Sequence, residues 1–307
     1  MTKPLKLALF PWVKSIKGSI ERIAEILNHG DIRVDVCQQE PNWSDYDGAI
    51  LNNDFRPLPI PRITYLTGLS VRRSLANLPY TKARLKLDGH LGVWTNCNTS
   101  AVALSQAGIP ASHIYRPYPV HLEPTVPPLP SKPRVLWYWK PDWAYCDGMD
   151  QDIHQVMRSV ADEGTEIWVI SNKHAPVKGL PLHPNIKALG RCKFSEILSE
   201  VRGMVRLTGD YDWGRSNFDV ISAGRFTLNL NAWEFEAHDG AFEMPSPMGV
   251  HRGHAMSTPS MQEAVPIVNR LLRDGFNHEA IHRYAFENFR EEPLRERWQS
   301  QIRSLFS

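Results

Sequence analysis

Hydrophobic residues follow two alternating patterns along most of the chain. Short apolar runs such as Leu5–Phe10 and Arg134–Tyr138 are typical of buried strands. Between such runs, apolar residues recur at helical spacing, as at Ile20, Ile23 and Leu27. Because strands and helices alternate, the pattern predicts parallel sheets flanked by helices.

The predicted elements form two series. In the first, strands are predicted at Leu5–Phe10, Arg33–Val36, Asp47–Leu51, Ile63–Leu66, Gly92–Asn96 and Ile114–Arg116, with helices at 20–27 and 98–107. In the second, strands are predicted at Arg134–Tyr138, Glu166–Ile170, Ile186–Leu189, Met204–Leu207 and Phe226–Leu230, with helices around 153–160, 194–201 and 217–223. From Met261 to Phe306 the pattern is helical apart from Pro293.

A proline-rich segment separates the two series. Residues 123–133 contain five prolines, which can continue neither a helix nor a central strand. We therefore predict a stiff connector between two domains, 1–122 and 134–307. Each domain is expected to be α/β with a doubly wound parallel sheet. Ligands should bind at the carboxyl ends of the strands and in a cleft between the domains.

Composition excludes several protein classes. Hydrophobic residues make up 42% of the 307 and charged residues 22%, as in globular rather than disordered or fibrous proteins. Four cysteines without a C-x-x-C pair argue against a disulfide scaffold or a structural zinc site. The N-terminus lacks a secretory signal, and no apolar run approaches the length of a membrane helix. These features predict a cytoplasmic protein.

Charge is concentrated in the first half. Within residues 56–116, eight bases accompany one acid, Asp88. The bases are Arg56, Arg62, Arg72, Arg73, Lys82, Arg84, Lys86 and Arg116. Such a balance favours an anionic partner, although a merely solvated basic face would have the same composition.

The segment 207–232 has the most informative local pattern. A strand ends near Leu207, a loop containing Gly209 and Gly214 follows, and Ser216-Asn217 opens a short helix. Unpaired amides and the dipole at such a helix start favour an anion. Asp219 in that helix could accept hydrogen bonds from ribose hydroxyls. An ordinary strand–helix–strand connection would show the same pattern.

The same segment resembles the donor-site signature of retaining GT-B glycosyltransferases, Glu-x-Phe-Gly-x-x-x-x-Glu-Ala-Met-Ala-x-Gly. Tyr211 stands at the first Glu, Trp213-Gly214 at Phe-Gly, and Asp219 at the second Glu, with Gly224 five places later. The resemblance implies that Asp219 binds the ribose of a nucleotide sugar. Tyr211 departs from the pattern at the position that contacts the sugar.

Other segments resemble the same family. Residues 96–110 and 114–120 are similar to the last unit of its N-terminal domain. Residues 186–192, with Arg191, are similar to the strand and glycine turn that hold the donor's base. The helical tail resembles closing helices that cross back onto the first domain. The resemblance thus implies a GT-B fold with two Rossmann-like domains facing a cleft.

The resemblance also implies the donor chemistry. GT-B enzymes generally stabilise the diphosphate leaving group with bases and helix N-termini, without an obligatory metal or another cofactor. Lys140 and Arg215 match the bases, and Gly18 would allow close backbone approach at the cleft. The donor is expected to be a UDP-sugar. The triplet Asp210-Tyr211-Asp212 leaves open a metal-dependent donor site of the GT-A type.

The acceptor side is open at this point. Asp54 and His90 are candidates for the general base. The basic stretch, through Arg62, Arg72, Arg73, Lys82, Arg84 and Lys86, would suit DNA carrying hydroxymethylated pyrimidines, with the base flipped out of the duplex. A cell-envelope glycan or lipid is the alternative acceptor, with the basic face on an anionic membrane. A non-enzymatic nucleotide-binding module is the third hypothesis.

Overall fold

Two sheets of parallel strands carry the fold, one in each of two units of the chain. The computed structural model describes residues 3–11, 17–67, 69–96, 98–114, 125–138, 150–170, 179–208, 215–231, 242–243, 252–253, 264–273 and 275–306. The first unit combines residues 1–120 with 288–307, and the second takes most of residues 121–287. The C-terminal residues therefore belong to the first unit.

The first unit contains a six-stranded sheet in the order β2-β1-β3-β4-β5-β6, with every neighbouring pair parallel. Its strands are β1 (Leu5–Phe10), β2 (Ile32–Val36), β3 (Gly48–Asn52), β4 (Arg62–Leu66), β5 (His90–Thr95) and β6 (Ala111–His113). Its helices are α1 (Lys17–Leu27), α2 (Leu69–Ala76), α3 (Leu78–Leu85), α4 (Asn98–Gln106) and, from the end of the chain, α10 (Glu291–Phe306), with a 3-10 turn at Trp43–Asp45. Strands β3, β4 and most of β1 are buried along their length.

Helices cover both faces of this sheet. On one face, α1 and α10 pack over a core that includes Leu7, Ile50 and Ile63. On the other, α2 and α4 contribute Val71 and Leu104 to a second cluster. Burial on both faces explains why these strands are continuous apolar runs rather than alternating ones.

Trp298 anchors α10 in the first core. Its side chain is completely buried, and its ring lies 5.3 Å from that of Tyr65 and 5.5 Å from that of Trp94. At the end of the helix, the Phe306 ring lies in the space that a Cβ on Gly48 would fill, so glycine at position 48 gives this ring room against β3.

The second unit contains a five-stranded parallel sheet in the order β11-β10-β7-β8-β9. Its strands are β7 (Arg134–Tyr138), β8 (Glu166–Ile170), β9 (Ile186–Gly190), β10 (Gly203–Thr208) and β11 (Phe226–Asn231). Its helices are α5 (Asp150–Asp162), α6 (Phe194–Ile197), α7 (Arg215–Ser222), α8 (Ala264–Arg273) and α9 (His278–Phe289), with a 3-10 turn at Leu198–Glu200. Two further short strands, β12 (Phe242–Glu243) and β13 (Arg252–Gly253), pair antiparallel with each other.

Two arginines fix the proline-rich segment to the second unit. The fully buried Arg225 guanidinium donates to the carbonyls of Pro127 and Pro128, at 3.1 and 2.7 Å. Arg202 donates in the same way to the carbonyls of Pro130 and Ser131. The four carbonyls of residues 127, 128, 130 and 131, which no sheet or helix satisfies, thereby gain charged donors.

A charged network joins three neighbouring strands of the second sheet at their amino ends. Glu166 accepts hydrogen bonds from Arg134, Trp168 and Lys187, and the Arg134 guanidinium also lies 3.9 Å from the Trp168 ring centre. Burial alone would raise the pKa of Glu166, but these donors outweigh it and lower the pKa from 4.5 to about 2.

The structure confirms the two doubly wound parallel sheets and the return of the C-terminal helix to the first unit. Three local predictions need correction. Helices α2 and α3 were not predicted, and the last strand of the first unit is Ala111–His113 rather than 114–116. Pro293 does not interrupt a helix but lies in the first turn of α10, where its missing N–H has no partner to lose.

We predict that Trp298→Ala destabilises the first unit by about 3–5 kcal/mol, the range for removing a buried tryptophan. The reason is loss of the ring contacts with Tyr65 and Trp94. Urea unfolding followed by circular dichroism measures the change. Gln301→Ala, at an exposed position of the same helix, is the matched control and should be within about 0.5 kcal/mol of wild type.

We predict that Glu166→Gln lowers the free energy of unfolding at pH 7 by about 1–3 kcal/mol, as expected for lost charge-assisted hydrogen bonds. Because the folded pKa lies below the unfolded one, wild-type Glu166 stabilises fully above pH 4.5 and loses this effect as pH falls towards 2. Urea unfolding between pH 2.5 and 7 should show the wild-type advantage shrinking in that window. An unchanged difference across it would contradict the assignment, and the exposed Glu163→Gln is the control.

Candidate functional site

The strand order creates one switch point in each sheet. In the second sheet, β7 and β10 pair directly, with Arg206 opposite Tyr138. The strand that follows β7 in the chain lies on one side of this pair, and the strand that follows β10 lies on the other. Adjacent parallel strands whose connections diverge leave a crevice at their carboxyl ends. The segments that follow these two strands contain Lys140 and residues 209–214 respectively, both outside the described residues.

Helix α7 begins directly after one of these segments. It spans Arg215–Ser222, so the predicted helix follows β10, and the predicted loop at 209–214 lies outside the described residues. Ser216 and Asp219 are half-buried on this helix. The free amides of its first turn and its dipole both favour an anion at the carboxyl edge of the sheet.

Asn217 and Gly224 fix the ends of α7. The Asn217 amide is fully buried and donates to the Thr227 hydroxyl at 2.8 Å, which ties the helix to β11. Gly224 has a φ of 68°, and a Cβ there would lie 2.8 Å from the His278 carbonyl oxygen. The helix can therefore end at this point only with glycine.

Several predicted donor-site residues cannot be placed. Lys140, Tyr211 and Gly214 lie outside the described residues, as does the Asp210-Tyr211-Asp212 triplet, and Arg215 is described only through its helical backbone. Arg191 is exposed and directly follows β9, after a turn at Gly190 with a φ of 71°. Gly18 lies in the first turn of α1, after β1.

At the switch point of the first sheet, between β1 and β3, aromatic and charged side chains lie together. Arg56 pairs with the Asp54 carboxylate, and its guanidinium lies 4.9 Å from the Phe10 ring centre. The Phe10 ring is 6.1 Å from that of the half-buried Trp43. Phe10 ends β1 and Asp54 follows β3, so this cluster lies at the carboxyl edge of the sheet. We call Trp43, Asp54 and Arg56 the first-sheet edge cluster.

Asn53 sets the direction of the chain as it leaves β3. It has a φ of 58°, an unfavourable value for a residue with a side chain, although asparagine tolerates it best. Its side chain accepts a hydrogen bond from the Thr67 amide at 2.7 Å and donates to the Thr67 hydroxyl at 2.9 Å. These bonds join the ends of β3 and β4 next to Asp54.

His90 lies away from this edge. It is the first residue of β5, at the amino end of the sheet, opposite Arg62, and its Nε2 lies 3.0 Å from the Thr64 hydroxyl. Burial and the nearby Arg62 charge lower the pKa of His90 from 6.5 to about 4. The ring is thus neutral at physiological pH and a weak proton acceptor.

One predicted nucleic-acid contact is corrected by the structure. Arg62 is completely buried rather than exposed, and its guanidinium donates to the carbonyls of Leu58 and Asp88. It cannot reach a phosphate backbone from this position. Of the other predicted bases, Arg73 and Lys86 are exposed, Lys82 and Arg84 are half-buried, and the side chain of Arg72 is outside the description.

Sequence reasoning missed most of the polar residues at the carboxyl edge of the first sheet. Asn52, Thr95 and Asn96 are completely buried where β3 and β5 end, and Thr67 follows β4. The sequence did contain an indication of these residues, because each stands directly at the end of an apolar strand. Burying a polar side chain there does not improve the packing of the core. Trp43 lies on a 3-10 turn between β2 and β3 rather than at the end of a strand, and it gave no such signal.

The described part of the chain contains neither a cluster of metal-ligating side chains nor a membrane-spanning helix. Among its residues, no group of three or more histidine, cysteine, aspartate or glutamate side chains is arranged to hold a metal ion. No helix in the described part of the chain is long and apolar enough to cross a bilayer.

Comparison with known proteins identifies the fold. No protein-family profile and no curated protein sequence matches the chain. Among solved structures, the lipopolysaccharide outer core galactosyltransferase WaaB is similar over 98% of this chain and 99% of its own, at 12% identity and a TM-score of 0.61. The sucrose-phosphate synthase of Thermosynechococcus elongatus is similar over 98% and 99%, at 11% identity and a TM-score of 0.62.

A third solved structure is larger. A mutant of S. aureus TarM, in complex with Fondaparinux, alpha-GlcNAc-glycerol and UDP, is similar over 85% of this chain at 12% identity and a TM-score of 0.53. This chain spans only 56% of that protein. Together with the two parallel sheets, these similarities establish a GT-B fold for the chain, as the resemblance of residues 207–232 implied.

Proposed function

We propose that this protein is a glycosyltransferase that takes its sugar from a nucleotide-sugar donor. The observation that carries the proposal is the switch point of the second sheet, where β7 and β10 end side by side and α7 begins just beyond. This is where doubly wound sheets bind nucleotides. Solved structures with the same fold include a named galactosyltransferase and a protein crystallised with UDP.

The donor would be held by groups that follow these two strands. Lys140, two residues after β7, and Arg215, at the start of α7, would neutralise the diphosphate as it leaves, together with the first amides of α7. Tyr211, Gly214 and Ser216 come from the loop and first turn. Asp219 would accept hydrogen bonds from the ribose hydroxyls, and a UDP-sugar is the donor that the TarM complex favours.

Arg191 and Asn217 have different roles in this proposal. Arg191 follows β9 and would face the nucleotide base. The Asn217 amide is engaged with Thr227 inside the unit, so it would position α7 rather than contact the donor. Gly18, in the first turn of α1, would allow a ligand to approach the backbone at the carboxyl edge of the first sheet.

The acceptor would bind at the first-sheet edge cluster. The half-buried Trp43 offers a ring face on which a sugar ring can stack, and the Asp54 carboxylate and Arg56 guanidinium offer groups that bond hydroxyls. Asp54 is also the better of the two candidate bases, since it lies at the carboxyl edge whereas His90 lies at the amino edge with a pKa of about 4.

We favour a carbohydrate-containing acceptor of the cell-envelope type. One similar structure is named as a lipopolysaccharide outer core galactosyltransferase, and another was crystallised with the carbohydrate compound alpha-GlcNAc-glycerol. A hydroxymethylated pyrimidine in DNA is the second candidate, favoured by the exposed Arg73 and Lys86 but weakened by the burial of Arg62.

We predict that Asp219→Ala weakens UDP binding by about 1–3 kcal/mol, or roughly 5- to 150-fold, because charge-assisted bonds to the ribose are lost. Isothermal titration calorimetry of the full chain with UDP measures this. Glu163→Ala, an exposed acid elsewhere in the second unit, should leave the affinity unchanged. Unchanged affinity of Asp219→Ala would remove this residue from the donor site.

We predict hydrolysis or transfer of a nucleotide sugar in the presence of EDTA, since helix amides and bases would replace a metal at the diphosphate. The experiment incubates the protein with UDP-glucose, UDP-galactose and UDP-GlcNAc, alone and with lipopolysaccharide fragments or hydroxymethylated DNA, and measures released UDP. Activity lost in EDTA and restored by manganese would favour the Asp210/Asp212 site. UDP binding without release under any condition would favour the nucleotide-binding module.

A further inference from the structure

Exposed apolar side chains are clustered in one short stretch of the first unit. Among the described residues, the large exposed apolar side chains are Tyr80, Leu87 and Leu91, at 50, 38 and 36% exposure, and the distant Leu182 of the second unit. Single exposed apolar residues need no explanation, but three within twelve positions form a patch.

The three side chains lie along the end of α3 and the turn into β5. Tyr80, Arg84 and Leu87 are spaced four and three residues apart, so they share one face of the helix and its continuation. The Arg84 guanidinium lies 5.2 Å from the Tyr80 ring centre, and the Leu87 amide donates to the Arg84 carbonyl at 3.3 Å. Leu91 lies at the irregular start of β5, where the register with β4 shifts.

Bases outnumber acids in residues 80–91, where the exposed Asp88 is the one acid. Lys82, Arg84 and Lys86 are interleaved with the apolar residues, and no described carboxylate forms an ion pair with any of them. Between residues 56 and 116 the sequence contains no acid except Asp88. Lys82 also stabilises the fold, because its ammonium lies beside Gly108 at the carboxyl end of α4, where a positive charge is favourable. We call Tyr80, Arg84, Lys86, Leu87 and Leu91 the α3 surface.

We propose that the α3 surface docks the protein on a bilayer that contains anionic lipids. Its bases complement negative headgroups, and its apolar side chains can enter the boundary between headgroups and acyl chains. Tyrosine is well suited to this boundary, because its ring is apolar and its hydroxyl remains hydrated. This inference goes beyond the proposed function and is independent of the nucleotide-sugar site.

Lipid explains the α3 surface better than nucleic acid does. A duplex binds through phosphate contacts, which the bases alone would provide and for which exposed leucines are of no use. Each base close to an anionic leaflet is worth about fivefold in the binding constant, so two bases give about 25-fold. The leucines and the tyrosine add a contribution that salt does not screen.

Vesicle flotation of the full chain tests the proposal. At 150 mM salt, the protein should float with vesicles of 70% phosphatidylcholine and 30% phosphatidylglycerol and bind pure phosphatidylcholine at least tenfold more weakly. Arg84→Gln/Lys86→Gln should lower the affinity about 25-fold. Tyr80→Ser/Leu87→Ser should lower it at least fivefold while leaving the dependence on salt unchanged.

Matched variants in the second unit provide the control. Leu182→Ser and Lys193→Gln remove an exposed leucine and an exposed base away from the α3 surface, and they should bind vesicles as wild type does. UDP affinity measured on every variant shows that the chain is folded and tests the donor site separately. Unchanged UDP affinity with lost flotation supports docking, whatever the acceptor is.

Three results would overturn the proposal. The first is no flotation of wild type on anionic vesicles. The second is flotation that Tyr80→Ser/Leu87→Ser leaves intact. The third is binding to a 20-base-pair duplex at 150 mM salt that depends on Arg84 and Lys86 but not on Tyr80 and Leu87, which would assign the same surface to nucleic acid.

Discussion

The parallel alignment of the strands is the constraint on which the rest of this structure depends. Because all strands of a sheet run the same way, every loop that leaves a carboxyl end emerges at one edge. In the second sheet, the order β11-β10-β7-β8-β9 places the two central strands next to each other with diverging connections. Strands β7 and β10 therefore end side by side, and α7 begins beyond the end of β10. In the first sheet, the same constraint brings Phe10 and Asp54 together from positions 44 residues apart.

Two kinds of interaction attach helix α10 and the proline-rich segment to their units. Helix α10 is fixed to the first unit by apolar burial, through Trp298 between two aromatic rings and Phe306 against Gly48. The proline-rich segment is fixed to the second unit by charge, through the buried Arg225 and the carbonyls of Pro127 and Pro128. Burial lowers the pKa of Arg225 to about 10, so it stays protonated at physiological pH and remains a donor. The arginine contacts lie where β7 and β11 begin, at the amino edge of the second sheet, which leaves the carboxyl edge of that sheet available for ligands.

Apart from β6 and the short strands β12 and β13, the sequence predicted the strands to within one or two residues. The reason is that both faces of each large sheet are covered, so its strands are continuous apolar runs. The sequence did not predict α2 and α3. Their buried sides include Ser74 and Thr81 beside Val71, so hydrophobic periodicity is weak there. It also counted Arg62 with the surface bases, although this residue opens a strand in which every position is buried. A count of charged residues does not distinguish a buried arginine that donates to backbone carbonyls from an arginine that binds a ligand.

The candidate donor site was predictable to the extent that it depends on local pattern. The predicted loop, the start of α7 and Gly224 after the helix follow from the sequence of residues 207–224 and require no tertiary information. Of the first-sheet edge cluster, the sequence indicated only Asp54 as a site residue. Trp43 reaches the cluster from a 3-10 turn, and Arg56 was counted only among the bases of residues 56–116. Such sites are assembled by topology, and their residues show no common spacing along the chain.

The central claim is that the switch point of the second sheet binds the nucleotide of a sugar donor. Amide hydrogen exchange of the full chain, with and without saturating UDP, tests it most directly because it reports on each segment separately. The account predicts slower exchange in the first turn of α7 and in the residues that follow β7 and β10, with α2, α3 and α4 of the first unit unchanged. Protection confined to the amino edge of the second sheet, or no protection despite measurable UDP binding, would contradict it.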